Sequence, residues 1–419
     1  MRTRMLAGAV VLATLFACTG GGSIGAPPSA SFPRDVLVLD TTGGSVVVDS
    51  NAGSVLVDDP GAVVDPAGAR LYAATTAGGF TTLETRDALD GRLISSATFQ
   101  GTLDVRSASA SGRAVAMMAP LAENSVPWVP VPRSRSTIVV ADPGRPDRAH
   151  TYRLKGNYEP EAFSIDDGRL FLIQYLPPQN PTAYRVTFLD LATGRVNPVF
   201  GRFKTQPERM PGDRLSQVFD ATTSQLYTLY TNHSKAYGDS YWNAGESKDL
   251  TFVHVLNLRE GWAYCAGLPR SLWNHPASAE AMTPSPDGRT LYIVDSVRGV
   301  IAEMNTRTLK VEGTSHVDLG SSVGATTSAV TSPDGATLFV SSSTDPGALY
   351  AIDAETLLVT ARWSIAGPVS DVGLSIDGAR LYAALRDHIA VLDPATGSEL
   401  GSLPVSGVSS ILDVETPGP

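Results

Sequence analysis

Six side chains suited to holding a ligand fall within one short stretch of this 419-residue chain. Between Thr231 and Asp249, His233, Tyr237, Asp239, Tyr241, Trp242 and Asn243 set flat apolar rings beside hydrogen-bonding groups. Proteins hold sugars and peptides with that combination. The plainer reading is a loop whose rings pack back onto the fold beneath. A further aromatic, Trp128, stands among Pro127, Pro130 and Pro132, which stiffen it into an extended arm. It is a secondary docking surface or, more simply, a lid on apolar strands. His150, His233, His254, His275, His316 and His388 contain no pair at the spacing of a local metal site, so no metal is expected. The letters of G-x-S-x-G occur at 320–324 and again at 21–25. That mechanism needs a strand–turn–helix elbow with Asp and His partners, and no helix pattern follows either copy. No catalytic residue is assigned. Cys265 follows Trp262 and Tyr264 on an expected outer strand, with no local cation or helix N-terminus to lower its pKa, and reads as a small packed residue.

The composition narrows the classes that remain. The 42 Asp and Glu outweigh 32 Lys and Arg, a net charge of −10. Such a chain lacks the basic surface that nucleic acid requires, and gains no electrostatic pull toward anionic lipid. With 42% hydrophobic and 18% charged residues it is globular rather than disordered. Its 39 Gly and 29 Pro suit many short strands joined by turns.

Residues 1–17 read as a leader. Arg2 and Arg4 open it, and Met5–Ala17 is an uninterrupted apolar or small run, shorter than the ~20 helical residues that span a bilayer. It ends Leu15-Phe16-Ala17-Cys18. That order resembles the lipobox of bacterial lipoproteins, which implies cleavage before Cys18, diacylation of its thiol and anchoring in a membrane. Residues 18–30, rich in Gly, Ser and Pro, then read as a flexible tether. No later segment is long and apolar enough to be a spanning helix. With Cys18 lipidated, Cys265 has no partner for an internal disulfide.

The body, 31–419, repeats itself. A turn followed by a strand recurs from Asp65, Pro286, Pro333 and Ile376, with weaker copies from Ala110, Asp166 and Thr223. In each strong copy an Asp-Gly or similar pair precedes Leu, Tyr and β-branched residues, which form buried strands. A second unit, strand–turn–strand, recurs at Val46, Phe188 and Ile389, with looser copies elsewhere. Together they give four strands per unit, repeating every 43 to 65 residues, which is the pattern of propeller blades. The turns account for seven blades. Three N-terminal strands (36–40, 45–49, 54–58) and one C-terminal strand (411–414) remain, and together they make an eighth blade closed by the two ends. The expectation is therefore all-β: a single propeller of eight blades, with seven as the alternative.

The repeats are similar to those of YVTN/WD40-like bacterial propellers, over about residues 31–415. That resemblance implies the fold and says little of activity, because the fold hosts many. The hairpins at Asp190–Gly194 and Asp393–Gly397 are also similar to those of quinone-binding propellers. The Trp expected after Thr-Gly is missing from both, so no cofactor is expected. Chain in excess of a minimal blade falls at 120–135, 175–182 and 231–249, where function resides when loops carry it. The expected function is an anchored, extracytoplasmic binding or scaffold module for an envelope protein or cell-wall component. The alternatives are a metal-dependent propeller enzyme of lactonase or lyase type, and a small glycan- or peptide-capture protein.

Overall fold

A computed structural model describes residues 34–42, 44–59, 61–121, 131–181, 183–203, 210, 213–231, 251–273, 279–320, 326–344 and 346–415. They form eight antiparallel sheets arranged as a β-propeller, and the only helix among them is a single 3-10 turn, Arg270–Leu272. No helix among the described residues is long and apolar enough to cross a membrane.

Blade 1 is the closing blade. Val36–Thr41, Gly44–Asp49 and Ser54–Asp59 supply its outer three strands, and Val408–Glu415 adds antiparallel to Val36–Thr41 as the innermost. Blades 2 to 4 run 63–100, 104–155 and 157–198. Blade 5 spans 213–267 and gains a fifth strand, Phe200–Gly201, laid parallel on its outer edge beside Trp262–Gly267. Blades 6, 7 and 8 run 280–316, 327–365 and 371–403. Eight is thus the count, and seven is excluded.

Blades 6, 7 and 8 share a repeated turn between their first two strands. In blade 6 the Ser285 hydroxyl donates to Asp287 (2.7 Å) and accepts from Thr290 N (3.0 Å), while Asp287 also accepts from Arg289 N (3.0 Å). Ser332 with Asp334, and Ser375 with Asp377, repeat the pattern. The left-handed backbone falls on the glycine alone, φ +66° at Gly288 and +74° at Gly335. The Asp therefore acts through its side chain, as in an Asx turn, and only the glycine supplies the positive φ. The Ser hydroxyl, then the backbone N–H, holds the Asp287 and Asp334 carboxyls below the usual range.

Between blades lie flat apolar layers. Leu229, Val253 and Val255 of blade 5 meet Leu291, Ile293 and Met304 of blade 6. Leu37, Leu39 and Val48 of blade 1 meet Tyr382, Ile389 and Val391 of blade 8. Burial of such side chains, worth about 1.5–3 kcal/mol each, is what aligns neighbouring sheets.

Candidate binding face

In an antiparallel four-stranded blade, the link between the second and third strands emerges at the end where the innermost strand begins. Five blades make that link in two to four residues. Blades 3, 4 and 5 do not: theirs run 119–134, 177–182 and 232–250. These blades are consecutive and share one topology, so the strand ends joined by these three links lie on one face in one sector of the ring.

The bases of these loops are tied to the inner strands. Asn157 is fully buried where the inner strand of blade 4 begins. Its amide donates to Val131 O (2.8 Å) and Pro178 O (3.2 Å), joining the first two loops, and Arg133 N donates to Pro178 O (3.1 Å). Two residues on, Glu159 takes the Arg133 guanidinium at 2.5 Å and that of Arg106 at 3.5 Å. Arg106 also donates to Ala119 O (2.8 Å). The inner wall at this sector is thus a charged but neutralised rim. Further along the channel, Gln217 donates to Glu161 (2.7 Å) and to Thr228 (3.0 Å).

The strand ends that flank the second and third links carry a row of rings. Tyr175 meets Tyr184 edge-on at 6.3 Å, Tyr184 stacks on Tyr230 at 5.2 Å, and Tyr230 stacks on Phe252 at 5.2 Å. Tyr230 and Phe252 flank the 232–250 loop on either side. Each such pair adds about 0.5–1.5 kcal/mol beyond burial, so these strand ends are rigid. Burial pushes the Tyr184 phenol well above its ordinary range, and Tyr230 and Cys265 reinforce the shift.

His233, Tyr237, Asp239, Tyr241, Trp242 and Asn243 lie outside the described residues, as do Trp128 and Cys18. Of the histidines, His150 packs on Tyr152, His388 pairs with the exposed Asp387 at 2.8 Å, and His254 is buried between blades 4 and 5. Those three do not converge. Cys265 lies on the outermost regular strand of blade 5, as its position predicts, but it is half-buried and faces a small cavity. Among the described residues, no three Asp, Glu, His or Cys converge as a metal site.

Two features were not evident from the sequence. At the loop face of blade 6, Glu280 (2% exposed) faces Asp295 (0%) across paired strands, and neither Glu280 oxygen accepts a hydrogen bond. Burial, then the charge of Asp295, pushes the Glu280 carboxyl well above the usual range. At the opposite end of the blades, where the Asp-Gly turns lie, blades 5 and 6 enclose a cleft of about 590 Å³. There the Arg202 guanidinium lies 4.7 Å above the Trp262 ring and donates to Arg307 O (2.7 Å). Arg289, Arg307, Asn257 and Asn305 line it too, with two carboxylates among them: Asp287 pairs with Arg289 at 3.5 Å, and Glu260 accepts from the Trp262 indole N–H at 2.5 Å. No spacing signal marks this cleft, because its residues come from separate turns of two blades.

Comparison with known proteins supports the fold. No family model and no curated relative matches the sequence. Solved structures do match. One is the dihydro-heme d1 dehydrogenase NirN in complex with DHE, at 15% identity and TM-score 0.53, covering 94% of this chain and 77% of that one. Apo AztD from Citrobacter koseri matches at 11% and 0.53, covering 91% and 97%. A eukaryotic initiation factor matches at 11% and 0.50, covering 92% and 98%. At these identities the likeness is one of fold.

Proposed function

We propose that this chain is a lipid-anchored envelope protein whose propeller binds a protein or cell-wall partner through the three-loop sector. One observation carries the reading. Chain length in excess of the blade minimum is concentrated in the links of three consecutive blades, and the strand ends that flank the second and third carry the aromatic row Tyr175–Tyr184–Tyr230–Phe252. Long links carried on rigid strand ends are how a scaffold presents a recognition surface. Anchoring rests on the leader and Cys18. The metal-enzyme alternative needs free carboxylates at the channel mouth. There Glu159 is held by two guanidiniums and Glu161 by Gln217.

In-cell crosslinking of the tagged protein, followed by mass spectrometry, tests the reading against a Tyr241→Ala/Trp242→Ala variant. One dominant partner, lost in the variant, supports it; a partner retained in full by the variant moves the surface elsewhere; no partner above background overturns the scaffold role. Cys18→Ser moves the protein from the membrane to the soluble fraction if the anchor is as proposed.

A second reading, capture of a small acidic glycan, is favoured by the Arg202–Trp262 cleft. A planar indole, several guanidiniums and amide side chains are the groups that stack on a sugar face and bind its carboxylate.

A further inference from the structure

The interface between blades 4 and 5 gathers an imidazole, a thiol and a thioether around one cavity. His254 and Cys265 are register partners on adjacent strands of blade 5. Directly opposed residues have Cβ atoms about 4.5–5.5 Å apart, close enough for one ion to touch both side chains. Both point toward blade 4: Phe252 and Leu256, two residues either side of His254, pack in that layer, and Cys265 packs against it. Met210, 3% exposed, closes the same layer. Its backbone is fixed by paired hydrogen bonds with Tyr184 (2.8 and 3.1 Å).

These three residues line one cavity of about 20 Å³, whose remaining wall includes Val186, Val199 and Ala263. A cavity needs roughly 10–15 Å³ to hold a single water-sized body, so this one takes one small guest and little more. No carboxylate lines it.

We propose that this cavity is a binding site for a soft monovalent metal ion, Cu(I), with the Cys265 thiolate, a His254 ring nitrogen and the Met210 thioether as ligands. The donor set decides the class. Hard cations take oxygen, carboxylate above all, and no carboxylate lines this cavity. Zinc prefers four ligands from thiolate, imidazole and carboxylate, and thioether is a poor one for it. Thiolate and thioether together select Cu(I), which accepts low coordination numbers. Binding replaces the thiol proton: Cys–SH and Cu(I) give Cys–S–Cu(I) and one H⁺, with no change of oxidation state. The ring of Tyr230, edge-on to His254 at 6.2 Å, bounds the imidazole from the loop side.

The test uses the full-length chain carrying Cys18→Ser, which leaves Cys265 as its only thiol. Under anaerobic conditions Cu(I) is titrated in competition with bathocuproine disulfonate. The expected result is one Cu(I) withdrawn per chain, a raised melting temperature on loading, and at least tenfold weaker binding in both Cys265→Ser and Met210→Leu. Met210→Leu conserves volume, so a lost ion with an unchanged apo melting temperature separates ligation from folding. X-ray absorption should show two sulfurs and one nitrogen. No Cu(I) withdrawn, binding unaffected by both substitutions, or Zn(II) held as tightly as Cu(I) each overturns the proposal.

Discussion

Asp35 and Arg380 lie 345 residues apart in the chain and form a two-pronged ion pair in the fold, with Nε–Oδ2 at 2.6 Å and Nη2–Oδ1 at 3.0 Å. Both side chains are buried, and the Tyr382 hydroxyl donates to the same carboxylate at 2.6 Å. Burial opposes the guanidinium charge, yet the hydrogen bond and charge of Asp35 raise the Arg380 pKa above its ordinary value. The pair fastens the first outer strand of blade 1 to blade 8, beside the seam where the ring closes.

Removing the arginine strands the buried Asp35 carboxylate, which costs about 3–5 kcal/mol, so Arg380→Met should lower urea-unfolding stability by that order. Asp35→Asn should cost less, because Arg380 keeps Asp377 at 3.2 Å. Asp35→Leu with Arg380→Met should recover most of the loss, because it leaves no lone charge. Single variants within about 0.5 kcal/mol of the parent, the range of an ordinary surface change, contradict the role given to the pair.

Glu280 sets a pH dependence. Its folded pKa is raised above the ordinary 4.5, so the folded chain binds that proton more tightly than the unfolded chain does. The contribution is full below about pH 4.5 and is lost as pH rises through the folded value. Glu280→Gln removes the ionisation, so the stability of the parent should fall relative to the variant as pH rises above about 4.5. Parallel stability curves for the two proteins contradict it.

Gly397 has φ +68°, and a Cβ there would fall onto the Trp363 indole ring of blade 7. Gly397→Ala combines a left-handed backbone with a ring clash and should cost at least about 2 kcal/mol. Gly401→Ala is the control: no atom lies within 4 Å of its added methyl, so the change should stay within about 0.5 kcal/mol. Thermal melting of the two variants decides.

If the cleft between blades 5 and 6 captures an acidic glycan, uronate oligosaccharides should change tryptophan fluorescence in the parent and not in Trp262→Ala. Arg202→Ala should weaken binding at least tenfold, since it removes both the stacked cation and its carboxylate contact. Neutral analogues binding equally well contradict the reading.

The blades were legible because each carries its own local turn chemistry. Ser285-Pro-Asp-Gly and its copies write the first hairpin, and Asp190, Asp353 and Asp393 write the second through a Thr three residues on. The closing strand was legible by elimination, although it runs Val408–Glu415 rather than 411–414. The inner strand of blade 2, only Val63–Val64, and the added strand Phe200–Gly201 carry no pattern of their own. The ion pair, the aromatic row and the cavity at Met210, His254 and Cys265 depend on which blade faces which. That is set by the closed ring and not by any spacing along the chain.

The order in which the chain is made does not match the order in which the ring is built. Residues 408–415 occupy the innermost place of the first blade, so three strands formed early wait for a partner more than 350 positions downstream. A chain stopped short of Val408 keeps every loop, the cleft and the blade 4–5 cavity, yet leaves Val36–Thr41 with one unpaired rim. That rim is a template for the missing strand of a neighbouring copy. Completion of synthesis is thereby read out as a single physical fact, whether one strand has docked. Half-made molecules stay distinguishable from finished ones to any protease or chaperone that recognises open sheet edges.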